Sequence, residues 1–256
     1  MSLDSRLRLA ESLGPNSPDA LPLLRRAAAE RPGDVPLRER LAATAEAAGR
    51  NAEAAEALRQ ANALQGPTQQ RLTWLGRLEL RAGNLPAAIE AHEQAVVLWP
   101  QSASAHAGLG LARDLAGDAA GAQEAYRRAI ALAPQDWGPR ANLGLSLVLS
   151  RQAPEAVQAL AEAEYAPGAP RRARHNLALA LVAAGRPDRA TRLLRQDMGP
   201  SEAEVMAQQF AAMARQIDPA SASADAGPMP AKLGRDARIA RQAAQQSGAA
   251  PGRPRG

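Results

Sequence analysis

Three histidines, His92, His106 and His175, are the side chains of this 256-residue sequence whose ordinary pKa lies close to neutral pH. They are the first place to look for proton transfer or metal ligation. His92 and His106 have no second histidine, cysteine or paired carboxylate at ligand spacing, and both stand where large side chains pack. They read as packing histidines. His175 closes a basic run with Arg171, Arg172 and Arg174. Arginine at a helix N-terminus opposes the dipole, so the run is either a solvated helix start or a contact made for a partner. Cysteine is absent, which excludes disulfides, thiolate nucleophiles, cysteine-bound metal and lipid carried on cysteine. There is no glycine-rich phosphate cradle, no His–carboxylate cluster and no nucleophile with a base at workable spacing. The sequence therefore predicts a protein that is not an enzyme and takes no cofactor, metal or small-molecule substrate.

Charge narrows the partners. The pI of about 10.7 invites a nucleic-acid reading. From Asp218 onward, however, six basic residues (Lys232, Arg235, Arg238, Arg241, Arg253, Arg255) face three acidic ones, while the rest of the chain is almost neutral. Nucleic-acid binding needs a clustered basic surface, and none is predicted. No stretch approaches 18 apolar residues, so no membrane span is expected. The first residues, MSLDSRLRLAES, mix charges and offer no apolar signal core. As written, the chain is expected to be cytoplasmic.

What must position any functional side chain is a repeat. In residues 103–136, Leu109-Gly110 is followed by Gly117, Ala122, Tyr126, Ala129 and Pro134. Leu109, Ala112 and Ala116 predict one face of a first helix, and Gly110 a close approach by a neighbour. Gly117 ends that helix, Asp118 caps the next, and Ala122, Tyr126, Ala129 and Ile130 form the stripe of a second helix that Pro134 stops. The phase holds over 34 residues: Gly49, Gly83, Gly117, Arg151, Gly185, and Ala20, Ala54, Ala88, Ala122, Ala156, Ala190. The residue four further on is Leu24, Leu58, His92, Tyr126, Leu160 and Leu194.

The order of L-G, A-x3-F/Y and P resembles the tetratricopeptide repeat (TPR). The fold expected is all-α, a right-handed α-solenoid of helix-turn-helix units: 1–34 a degenerate N-terminal repeat or cap, then five units at 35–68, 69–102, 103–136, 137–170 and 171–204. Aromatic residues make up only 2% of the chain, so packing must rely on Leu and Ala. Residues 201–217 predict a C-terminal helix with Ser201 and Glu204 as a capping box and Met206, Phe210, Met213 and Ile217 as its apolar stripe. It either covers the last repeat or folds into the groove. Residues 218–256, rich in Pro, Ala, Ser, Gly and Arg, predict a disordered tail.

The TPR resemblance implies a concave groove that takes an extended peptide or a partner helix. Its lining positions here are Arg40, Trp74, Arg77, Leu111, Asn142, Leu145, Val148, Leu149, Arg172, His175, Asn176, Leu179 and Val182. Asn142 and Asn176 either hydrogen-bond a bound backbone or are simply common before this Leu-containing pair. The groove holds no lysine, since Lys232 is the only one in the chain, so a carboxylate-clamp co-chaperone is not expected. A closer resemblance lies in Arg172, Arg174, Asn176-Leu177-Ala178-Leu179, Gly185 and Arg195-Gln196-Asp197, followed by a short helix. These residues resemble the end of TadD proteins of the tight-adherence (Flp) pilus system. That implies a non-catalytic assembly factor for a type IVb pilus machine or secretion, with secretin components as partners. TadD proteins carry a lipoprotein signal and cysteine, which would make this protein periplasmic and outer-membrane-associated if its reading frame starts earlier. The other expectation is a cytoplasmic regulatory or chaperone-like adaptor unrelated to pili.

Overall fold

In the computed structural model, which describes residues 2–14 and 17–219, every described element is helical. The expected tail lies outside the described residues from 220 onward, as do Lys232 and, at the first turn, Pro15. The chain divides into two blocks at Ala133. The N-terminal block contains α1 (Leu3–Ser12), α2 (Leu21–Glu30), α3 (Val35–Ala47), α4 (Asn51–Gln65), α5 (Gln69–Ala82), α6 (Leu85–Leu98), α7 (Ala103–Ala116) and α8 (Ala119–Leu132). The C-terminal block contains α9 (Trp137–Leu149), α10 (Ala153–Leu160), α11 (Arg171–Ala183), α12 (Pro187–Leu194) and α13 (Pro200–Ile217). Short 3-10 turns precede α2 and follow α10.

Each hairpin is punctuated by the same chemistry. Asp34, Thr68, Ser102 and Asp136, 34 residues apart, cap α3, α5, α7 and α9 by accepting a backbone N–H of the first turn at 2.8 to 3.2 Å. A cap of this kind contributes about 1 kcal/mol. The same position before α11 is Pro170, which has no side-chain acceptor. Asp118 caps α8 through the Gly121 N–H at 2.9 Å. Gly83 and Gly117 end their helices in the left-handed conformation, and Gly49 and Gly185 share the positive φ. Arg151 takes the same slot with φ of 62°, the only described non-glycine residue to do so.

The core is made of Ala and Leu, as the scarcity of aromatics requires. All six alanines of the series from Ala20 to Ala190 are buried. So are the six larger residues four positions on, from Leu24 to Leu194. Each of the larger residues from His92 to Leu160 faces a glycine on the preceding helix. A Cβ on Gly76 would overlap the His92 ring, one on Gly110 would stand 2.6 Å from the Tyr126 ring, and one on Gly144 would overlap Leu160. Ala116, expected on the buried face of α7, is exposed; Ala105, Leu109, Gly110 and Ala112 are buried instead. The helix turns away at Gly117 before Ala116 can reach the core.

The N-terminal region keeps both helices of a hairpin, although its sequence shows only the second clearly. Residues 201–217 are helical, but the helix starts one residue earlier, at Pro200. Its cap is Gly199, whose N–H donates to the Glu202 carboxylate at 3.2 Å. Glu204 pairs with Arg195 at 3.0 Å instead. Proline is pre-organised for the first helical turn, which explains the shift. The buried stripe of α13 is centred on Ala203, Ala207 and Ala214, with Met206 and Phe210 beside it.

His92 packs as expected, but in an unusual setting. It is 2% exposed, and neither ring nitrogen has a hydrogen-bond partner among the described residues. A Cβ on Gly108 would also overlap the ring, so it sits between two glycines. Burial pushes its pKa down to about 4.

These contacts can be tested by substitution. Gly110→Ala should destabilise the fold by about 1–3 kcal/mol in urea denaturation, because the Tyr126 ring has to give way. Gly33→Ala, where a Cβ meets nothing within 4 Å, should stay within about 0.5 kcal/mol of the parent. For His92, the folded chain refuses a proton that the unfolded chain takes up below its ordinary pKa of about 6.5. Stability is then unaffected above pH 6.5 and falls by roughly 3 kcal/mol as pH drops from 6.5 to about 4. His92→Leu should remove that part of the loss. Melting of both proteins at pH 7 and near pH 4 measures it, since the other titrating groups are common to both.

Candidate functional site

The residues expected to line a binding face lie on the first helices of the hairpins, and the two blocks treat them differently. In the N-terminal block, Trp74 on α5 is half-buried, and its indole N–H donates to Glu46 on α3 at 2.6 Å. Arg77 reaches the same carboxylate at 3.4 Å, and Arg81 also pairs with it. Glu46 was not legible as a site residue, because it precedes Trp74 by 28 positions and meets it only when α3 and α5 stand side by side. The two guanidiniums are each about half exposed and share one carboxylate. Positive charge is therefore left over beside an aromatic ring. Arg40 is held by Glu11 at 3.2 Å, and Leu111 on α7 is half-buried.

In the C-terminal block, Leu145 and Leu149 on α9 remain half-buried. Four other expected lining residues are interior. Val148 is 1% exposed, Leu179 4%, Asn176 8% and Val182 8%. They pack the block and are closed to a ligand in this structure. Asn176 donates to the Ala141 carbonyl at 2.8 Å, tying α11 to α9. Asn142 accepts from Arg172 at 2.5 Å. Both asparagines are thus bonded within the block.

The basic run at the start of α11 has an internal reason. Arg174 grips Asp197 with both arms of its guanidinium, at 2.5 to 3.1 Å, and donates to the Ala169 carbonyl at 2.5 Å. His175 lies 3.6 Å from the same carboxylate. Asp197 stands where earlier hairpins place a helical alanine; α12 stops at Leu194, so the acid falls in the loop and turns back toward α11. The Arg174 hydrogen bonds hold the Asp197 pKa below its ordinary value. Burial lowers the His175 pKa, against the opposing pull of Asp197. This is a clamp on the last hairpin. Arg171 is exposed.

His106 is half-buried and lies within hydrogen-bond distance of the Pro100 carbonyl, at 3.0 Å, securing the loop before α7. Among the described residues no three His, Asp or Glu side chains are placed to hold a metal ion. None of their helices is long and apolar enough to cross a membrane. The N-terminal block thus presents an aromatic, a leucine and half-exposed arginines on neighbouring helices, and the C-terminal block the half-buried leucines of α9.

The comparisons agree with this architecture. The tetratricopeptide repeat model matches residues 75–137. No curated protein matches the chain. Among solved structures, MamA is similar at 26% identity, with 55% of this chain and 82% of that one covered and a TM-score of 0.51. PilF from Pseudomonas aeruginosa is 19% identical, over 82% of this chain and 97% of that one, with a TM-score of 0.59. A thermophilic TPR protein from Thermus thermophilus, TTC0263, is 20% identical, over 71% of this chain and 98% of that one, with a TM-score of 0.52. The last two likenesses show a shared fold. The tetratricopeptide repeat model matches part of that fold, the hairpins over 75–137.

Proposed function

We propose that this scaffold holds a protein segment against its first helices in the assembly of a tight-adherence (Flp) type IVb pilus or its secretion machine. The observation that carries the binding part is the Trp74 face. The indole is pinned by Glu46, and Arg77 and Arg81 stand half exposed on the same helix. An aromatic anchor beside excess positive charge suits a segment that pairs an apolar side chain with a carboxylate. The pilus part is supported by the resemblance of Arg172, Arg174, Asn176–Leu179 and Arg195–Asp197 to TadD proteins. Under this reading the protein works at the outer membrane, on its periplasmic side. The alternative, a cytoplasmic regulatory or chaperone-like adaptor, keeps the same face and changes the partner.

The test is a pull-down from the native host, read by mass spectrometry, with the full chain and with a variant carrying Arg77→Glu and Leu145→Arg. Both residues are accessible enough to change without opening the core. Secretin or pilus-machine subunits should be captured by the parent and reduced about tenfold or more in the variant, with helicity and melting unchanged. Equal capture by the variant would remove both positions from the binding site. Capture of soluble cytoplasmic proteins alone would replace the pilus reading with the adaptor one.

A further inference from the structure

Leu145 and Leu179 occupy equivalent positions on α9 and α11, yet Leu145 is half-buried and Leu179 is 4% exposed. α11 carries α13 on one side and α9 on the other. α13 packs against both α11 and α12. Ala203, Ala207 and Ala214 join one apolar cluster with Leu177, Ala178, Leu181 and Val182, and Met206 and Phe210 pack against it. At 18 residues α13 is about 27 Å long, against about 20 Å for the 13-residue α11.

Its far end is held one hairpin back. Arg151, in the turn between α9 and α10, donates from Nε to the Ile217 carbonyl at 3.0 Å, and its Nη1 lies 3.9 Å from the Asp218 carboxylate. The helix therefore runs from the end of α12 across α11 to the preceding turn. Arg151 carries a second, independent sign. Glycine fills its slot at positions 49, 83, 117 and 185, and a side chain at positive φ costs about 1 kcal/mol. Among the five units from 35 to 204, the one whose slot is not glycine is the one whose side chain clasps α13.

We propose that α13 is an internal stand-in for a partner helix, seated on α11 and latched by Arg151, and that a helix of the same chemistry binds the C-terminal block by displacing it. The partner is an amphipathic helix with small residues at i, i+4 and i+11 and a Met or Phe flank, the pattern by which α13 itself is held. This deepens the binding reading above and rests on it only for the idea that the first helices receive a polypeptide.

The probe is a fluorescein-labelled peptide of residues 199–218, titrated with the full chain and followed by anisotropy. Arg151→Gly restores the residue that suits the backbone and removes the latch. It should tighten peptide binding about two- to tenfold, the worth of one hydrogen bond, by lowering competition from the resident helix. Phe210→Asp, which loosens the packed face, should tighten it more, and hydrogen exchange over 200–217 should quicken in both variants. Exchange that stays as slow in Arg151→Gly as in the parent would overturn the latch. Faster exchange with no gain in peptide binding by either variant would overturn the docking face. Neither result touches the host pull-down, whose variants lie at Arg77 and Leu145, so the two proposals fail separately.

Discussion

The close approach of two helices within each hairpin is the constraint on which the rest depends. A large side chain on the second helix has to enter the first helix where that helix has little or no side chain of its own. Tyr126 does so at Gly110, His92 at Gly76 and Leu160 at Gly144, with distances that leave no room for a methyl group. Leu58 and Leu194 stand at the same spacing from Ala42 and Ala178, and all four are buried. Because the aromatic content is so low, these pairs and the surrounding alanines carry the packing. The glycine cannot change without its partner changing as well.

Once the hairpins are set, polar side chains tie one to the next. Arg71 is 3% exposed and donates to the Gly66 carbonyl at 2.6 Å, closing the connection between α4 and α5. Gly66 sits there at a φ of 78°, in place of the proline that ends other repeats, which leaves the chain free to bring that carbonyl round. Asp197 does similar work at the end of the C-terminal block, where α12 is too short to supply its usual alanine. A guanidinium can serve a carboxylate and a carbonyl at once, as Arg174 does.

The same economy limits where a partner can bind. Arginines that looked available in the sequence are engaged: Arg40 by Glu11, Arg172 by Asn142, Arg174 by Asp197. What stays accessible is the Trp74 and Arg77 face of the N-terminal block and the half-buried leucines of α9. On α11 the equivalent leucine, Leu179, is buried, and Leu177, Ala178, Leu181 and Val182 share an apolar cluster with α13. The binding capacity of the two blocks therefore differs although their hairpins follow one pattern.

The hairpins could be read from the amino-acid order because their signals are local: a 34-residue phase, a glycine where most first helices end, alanines one turn from a larger residue. The packing role of His92 was equally legible, because no partner stood at ligand spacing. Val148, Leu179 and Val182 were legible as one face of their helices but not as buried. Val182 joins the apolar cluster that α13 closes, and the reach of α13 to Arg151 joins residues 66 positions apart. Glu46 became part of the Trp74 face only when α3 and α5 came side by side. Periodicity reports which way a side chain faces along its own helix; the tertiary structure alone decides whether water, a partner or another part of the chain is found there.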